Sequence, residues 1–282
     1  MISLTSLIIS AFIGIIVFFK LTKFKITNRL NSLFIASFCA ISMYGLLCYL
    51  SPHPEVHPDQ MHTLVVGTSA DYPPFAFVQD DKVVGFDIDI IQEVAKRLHK
   101  KIDIQDMPFT TLIPLLQLGK IQVIASGMTE TLERSARVLF TKPYLTGDQL
   151  IVITLAGNPV SSLSELKGKE VIVNDGYTAD LYMSKIEGPE LKRLKTPAEA
   201  FLALKAGRGF AYVTARNTVK PFFDQYGQQD FALFAIPDSR ENVSLAVSKK
   251  YPELVPMLQN VLDTMQQDGT LTTLQEKWGL QQ

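Results

Sequence analysis

The chain has 282 residues, 47% hydrophobic and 20% charged, with a formal net charge of −1. That length holds one or two domains with proper cores. Lys20, Lys23, Lys25 and Arg29 are the only charged side chains before residue 51, so the remainder is mildly acidic and has no basic stripe to neutralise phosphates, which excludes nucleic acid as a partner.

Ile2 to Phe19 is almost wholly apolar and long enough to span a membrane, residues 20–29 are basic, and Leu30 to Leu50 form a second apolar run. The basic loop is expected on the cytoplasmic side, which sends residue 51 onward across the membrane. Two readings stay open: a helical hairpin of both runs, or an export signal over residues 21–50 with a basic n-region. Both cysteines, Cys39 and Cys48, lie in this region, so the globular part has neither a disulfide nor a thiolate metal site. Gly45-Leu46-Leu47-Cys48 offers a lipidation point, although Leu47 stands where a small residue is preferred. Residues 51–62 read as a stalk, stiffened by Pro52, Pro54 and Pro58 and reaching roughly 30 Å as polyproline II. His53, His57 and His62 are read as spacer residues, because a stalk lacks the surroundings that fix metal ligands.

From residue 63 short apolar runs alternate with helical patterns, which indicates α/β units and a mostly parallel sheet. Leu64–Thr68 is a strand running into Asp71-Tyr72-Pro73-Pro74-Phe75, a proline-stiffened turn that presents aromatics. Asp87 is expected to cap a helix over 87–99, and Thr110 with Thr111 a helix through Leu118 that Gly119 ends. Ile121–Ser126 reads as a buried strand followed by Gly127-Met128-Thr129-Glu130-Thr131-Leu132-Glu133-Arg134. Thr131 suits an N-cap, Gly127 lets the backbone approach a ligand, and Arg134 is a cation set against a helix N-terminus. A strand end, hydroxyls, free helix N–H groups and one guanidinium make an anion site, most simply for a carboxylate. The plainer reading is a strand–turn–helix link with a solvent-facing Arg134 paired to Glu130 or Glu133.

Gly147–Thr154 is a long strand, and a second α/β series follows. It comprises strand 170–174, a helix from Thr178, strand 191–194, a helix opened by the capping box Thr196-Pro197-Ala198-Glu199, strand 210–214, helix 216–225 and strand 231–236. Val243–Ser248 returns as a strand, and helices 252–267 and 271–277 finish the chain. If 148–154 and 243–248 cross between halves, lobe one is 63–150 plus 244–282 and lobe two is 151–243, with a hinge and a ligand cleft between them. Gly207-Arg208-Gly209 precedes a strand, the wrong context for a dinucleotide turn.

With Val84-Gly85-Phe86-Asp87, Asp268-Gly269-Thr270 and Lys277-Trp278-Gly279 in this order, residues 62–280 resemble the periplasmic amino-acid-binding proteins of ABC importers. The resemblance implies a two-lobed periplasmic-binding-protein fold of type II with two hinge crossover strands, here preceded by one or more N-terminal membrane segments. It places Tyr72 and Phe109 as the aromatics that sandwich the ligand's side chain. It puts Ser126, Gly127, Thr129 and Arg134 on the ligand's α-carboxylate, with Thr178 reaching it from lobe two. Two positions depart from the family: Ala215, followed by Arg216, stands where most relatives have an aspartate for the α-ammonium, and Ser69 where receptors for basic amino acids often carry a carboxylate. Asp71 is a substitute for the latter, and Asp175 and Glu241 are the other nearby acids.

The resemblance implies an extracytoplasmic receptor that delivers a small carboxylate-bearing solute, an amino acid first of all, to a permease and ATPase, and the N-terminal apolar runs are expected to tether it to the cytoplasmic membrane. This chain has no Gly-rich phosphate loop and needs no cofactor for binding. A dehydratase-like enzyme on the same scaffold would need a general acid or base in the cleft, and a tethered sensor would need a signalling domain.

Overall fold

The computed structural model describes residues 62–280. The membrane-segment, signal and lipidation expectations, and the stalk up to residue 61, lie outside the described residues. Among the described residues no helix is long and apolar enough to cross a membrane.

The first half opens with β1 (Thr63–Thr68), the small strands β2 (Asp71–Tyr72), β3 (Ala76–Gln79) and β4 (Lys82–Val84), α1 (Phe86–Arg97) and β5 (Lys101–Asp106). It continues with α2 (Phe109–Leu118), β6 (Val123–Ile124), α3 (Leu132–Ser135) and β7 (Leu139–Phe140). The chain then crosses on β8 (Leu145–Leu155) to a 3-10 turn (Leu163–Leu166), β9 (Glu170–Asn174), α4 (Thr178–Met183), β10 (Glu190–Leu194), α5 (Pro197–Lys205), β11 (Ala211–Ala215) and α6 (Arg216–Tyr226). It returns on β12 (Phe231–Val243) to β13 (Ala246–Val247), α7 (Leu254–Gln267) and α8 (Thr270–Lys277).

These strands make two five-stranded sheets, β5-β1-β6-β13-β7 and β10-β9-β11-β8-β12. Each is parallel on one side, where β1 and β9 sit between parallel neighbours, and antiparallel on the other. The expectation of mostly parallel sheets therefore holds for half of each. The second sheet is covered on both faces: Leu150 and Val152 of β8 pack towards Met183, while Ile151 and Ile153 pack towards Phe201 and Val219. Strict alternation of buried apolar side chains on two faces is what a two-period strand between helix layers requires.

The connection between lobes differs from the sequence reading at its second strand. The return runs along the 13-residue β12, paired with β8 as far as Val243↔Leu145, and not along 243–248. Val243 and Leu145 pack in the first lobe's core with Val66 and Val123, whereas Ile236 and Leu150 belong to the second. The polar run Asp238-Ser239-Arg240-Glu241 hides this strand from a hydrophobicity pattern, and the ladder shifts register across it.

Two helix starts also differ. Gly85 is the N-cap of α1, at φ 138°, where an added Cβ would lie 2.2 Å from the Phe75 carbonyl oxygen. The helix thus begins before Asp87, which is fully buried and caps nothing of its own. Pro108 takes the N-cap of α2, so Thr110 and Thr111 fall inside the first turn and Thr111 donates back to the Pro108 carbonyl at 2.7 Å. The segment after β1, expected as a stiff turn, is a three-stranded antiparallel sheet, β2-β3-β4.

Candidate functional site

The first lobe contributes residues following the C-terminal ends of β1 and β6, and the second lobe residues following β9 and β11. In open α/β sheets, ligands bind outside such strand ends. The two sets of loops are in contact. The Tyr72 and Thr218 hydroxyls lie 3.0 Å apart. The Tyr177 ring packs against both Tyr72 and Phe109, with centroids 5.2 Å and 4.5 Å away.

Arg134 lies at the centre. It is 4% exposed, which overturns the reading of a solvent-facing arginine paired to Glu130 or Glu133. Glu130 instead accepts from Ser135 Oγ at 2.7 Å. Thr131 caps α3 as expected, accepting from the Arg134 amide at 3.2 Å. That helix is a single turn, too short for a macrodipole argument; the residues that Arg134 reaches define its role. Nη1 donates to the Thr129 carbonyl at 2.6 Å and to Thr178 Oγ1 at 3.4 Å. Nη2 donates to the Gly176 carbonyl at 2.9 Å, and the guanidinium carbon lies 5.5 Å from the Phe109 centroid. Among the described residues no carboxylate comes within ion-pair distance of Arg134. Burial pulls its pKa below the ordinary value, and Glu241 is the foremost charge opposing that.

The other expected residues divide. Ser126 and Ser69 are buried and joined, the Ser69 amide donating to Ser126 Oγ at 3.0 Å, and Ser69 Oγ donates to Asp71 Oδ1 at 2.9 Å. Burial raises the Asp71 carboxyl above its usual range. Thr129 is buried, and its hydroxyl has no hydrogen-bond partner among the described residues. Thr178 stands between Arg134 and Glu241 and lowers the Glu241 pKa by hydrogen bonding. Gly127 acts differently from the expectation. Its amide donates to Asp87 Oδ2 at 2.6 Å, and at φ 59° an added Cβ would meet the Tyr72 ring at 2.5 Å. The glycine thus admits an aromatic neighbour, with its N–H committed inside the lobe. Asp175 is exposed on the turn before α4.

Three side chains absent from the sequence reading also belong to this cluster: Tyr177, Thr218 and Asp148. Glu241, noted there only as a nearby acid, is 5% exposed with its pKa raised to about 7 by burial and by Asp148. Asp148 is 7% exposed and raised to about 6, chiefly by burial.

This fold and cleft define a two-lobed solute-binding protein. Residues 64–281 match the bacterial extracellular solute-binding proteins, family 3, and the chain belongs to that family. It is 33% identical over 220 residues to a probable histidine-binding protein of Campylobacter jejuni, covering 78% of this chain and 86% of that one. It is 31% identical to the arginine-binding extracellular protein ArtP of Bacillus subtilis, covering 76% and 85%. Among solved structures, an ancestral arginine-binding protein bound to arginine superposes with a TM-score of 0.72 at 37% identity, over 77% of this chain and 98% of that one. An ancestral amino-acid-binding protein that is a precursor of cyclohexadienyl dehydratase superposes with a TM-score of 0.70 at 32% identity, over 77% and 95%.

Proposed function

We propose that this chain is the extracytoplasmic receptor of an amino-acid ABC importer, tethered through residues 1–50 and delivering its ligand to a separate permease and ATPase. The observation that carries the reading is the buried Arg134 guanidinium, held at the lobe junction by neutral oxygens alone. Glu241 acts on it only from across Thr178, outside ion-pair distance, and a ligand carboxylate would supply the close counter-charge through a bidentate pair. The names of the relatives, receptors for arginine and histidine, support the same class. Ser126, Thr129 and Thr178 would share the carboxylate, and Tyr72 and Phe109 would flank the side chain. Asp71, steadied by Ser69, would receive a basic side chain.

Calorimetry of the purified full-length chain against the twenty L-amino acids tests this reading. Binding of at least one of them, lost in Arg134→Ala, is the expected result. Binding of none, or conversion of a bound acid into a product, would replace the receptor with another activity. A reporter fused after Gln60 should be active only in its exported form.

A further inference from the structure

α6 begins without a side-chain cap, because its N-cap is Ala215. The strand beside it makes up the loss. Ala215 pairs with Leu150, and Asp148, two residues from Leu150 on β8, accepts the Asn217 amide with its two carboxylate oxygens at 3.2 Å and 3.4 Å. A carboxylate thus stands at the N-terminus of α6 although the chain carries none in the sequence at that point. Directly opposite Asp148 in the β8–β12 ladder is Glu241. The two acids are nine-tenths buried, Asp148 raises the cost of ionising Glu241, and among the described residues no cation makes an ion pair with either. Arg216, next along the chain, is exposed.

Independently of the acids, the Tyr177 hydroxyl is buried without a hydrogen-bond partner among the described residues. It lies within electrostatic reach of Asp71, Glu241 and Arg134, in the middle of the charged cluster. On one side of Thr178 stands the Arg134 guanidinium and on the other the Glu241–Asp148 carboxylate pair; Arg134 and Glu241 act on each other across Thr178, and Arg216 acts on Asp148, yet among the described residues none of these makes an ion pair. That is the charge pattern of a zwitterion in reverse.

We propose that Asp148 and Glu241 form the ammonium-binding subsite of this cleft, with the Tyr177 hydroxyl as a further acceptor, and that they do the work for which Ala215 is unsuited. The ligand class follows: an α-amino acid, selected over the same acid without its amino group. This rests on the receptor reading and deepens it.

The test compares L-arginine and L-histidine with their deaminated counterparts, 5-guanidinopentanoic acid and imidazole-4-propionic acid, by calorimetry on the full-length chain. The wild type should prefer the amino acid, and Asp148→Asn and Glu241→Gln should each weaken it roughly a hundredfold or more while changing the deaminated acid less than about threefold. Asparagine keeps an acceptor for the Asn217 amide, so α6 stays capped while the charge is removed. Adding Ala215→Asp to Asp148→Asn should restore much of the lost preference, which a merely structural role for Asp148 would not allow. Amino-acid affinity within threefold of wild type in both variants would overturn the proposal and leave the receptor reading standing. So would equal loss for the aminated and deaminated ligands, or a wild type that prefers the deaminated acid. A wild type that binds none of the four probes overturns the proposal, and the twenty-amino-acid screen then decides the receptor reading separately.

Discussion

Tyr72 and Thr218, 146 positions apart in the chain, meet hydroxyl to hydroxyl at 3.0 Å in a buried contact between the two lobes. The contact closes the cleft with residues of the cleft itself, so ligand affinity and lobe closure draw on the same side chains. Tyr72→Phe removes one neutral hydrogen bond, worth about 0.5–1.5 kcal/mol, and should shift the ligand-free protein towards open forms by roughly twofold to tenfold. Fluorescence transfer between one label on each lobe reads this directly. An unchanged distribution would mean that the bond contributes nothing to closure.

Arg134 should carry the largest share of carboxylate affinity. Removing one partner of a buried, charge-assisted pair costs about 3–5 kcal/mol, or roughly a hundredfold to several-thousandfold in binding. Arg134→Lys should not recover it, because an ammonium cannot reproduce the planar fork that reaches Thr129, Thr178 and Gly176 at once. The fold should survive Arg134→Ala, since relief of a buried charge that has no ion-pair partner among the described residues offsets part of the lost bonds. A folded Arg134→Ala protein that binds within fivefold of wild type would remove Arg134 from the site.

Asp87 gives the protein a pH dependence of unusual sign. Burial raises its carboxyl from 3.8 to about 7. The native state therefore holds a proton that the unfolded chain has already released, and stability falls as pH rises from about 4 through 7. The full effect is up to about 4 kcal/mol for this group. Glu241 and Asp148, also raised, add slope of the same sign. Asp87→Asn keeps an acceptor for the Gly127 amide and removes the charge, so urea unfolding should show a flatter profile and a more stable protein at pH 8 than wild type. An unaltered slope between pH 5 and pH 8 would show that Asp87 ionises freely.

The legible parts of this protein were those written locally. The capping box of Thr196 and Glu199 is present with both of its bonds, and Pro197 opens the helix. Thr131 caps α3, and the strand–turn–helix stretch ending in Arg134 leads into the cleft. What stayed hidden depends on register between distant strands. Asp148 reaches the start of α6 only because β8 pairs with β11, and it faces Glu241 only because β8 also pairs with β12. Nothing in the order Thr146-Gly147-Asp148-Gln149 announces that. The small sheet β2-β3-β4 was masked by Pro73 and Pro74, whose turn chemistry reads more strongly than two- to four-residue strands.

Tyr177 is the side chain whose direction the sequence leaves open, and it bears most on ligand size. Its ring is 6% exposed and packs on Phe109 at 4.5 Å and Tyr72 at 5.2 Å, the two aromatics expected to flank a ligand side chain. A long side chain entering between those rings must crowd the Tyr177 ring, and a short one need not. Tyr177→Thr should therefore improve binding of arginine relative to alanine by about tenfold, as burial of several methylene groups no longer competes with burial of the phenol ring. The same change should lower the stability of the ligand-free protein by about 3 kcal/mol, because a large buried ring is lost. Tyr177→Phe separates the hydroxyl from the ring. An unpartnered buried hydroxyl costs about 1–3 kcal/mol, so the phenylalanine variant should be the more stable by about 1 kcal/mol in urea unfolding. It should keep the wild-type ratio of arginine to alanine affinity. If Tyr177→Thr leaves that ratio unchanged, the ring stands outside the ligand's path, and its contacts with Tyr72 and Phe109 are core packing between the lobes.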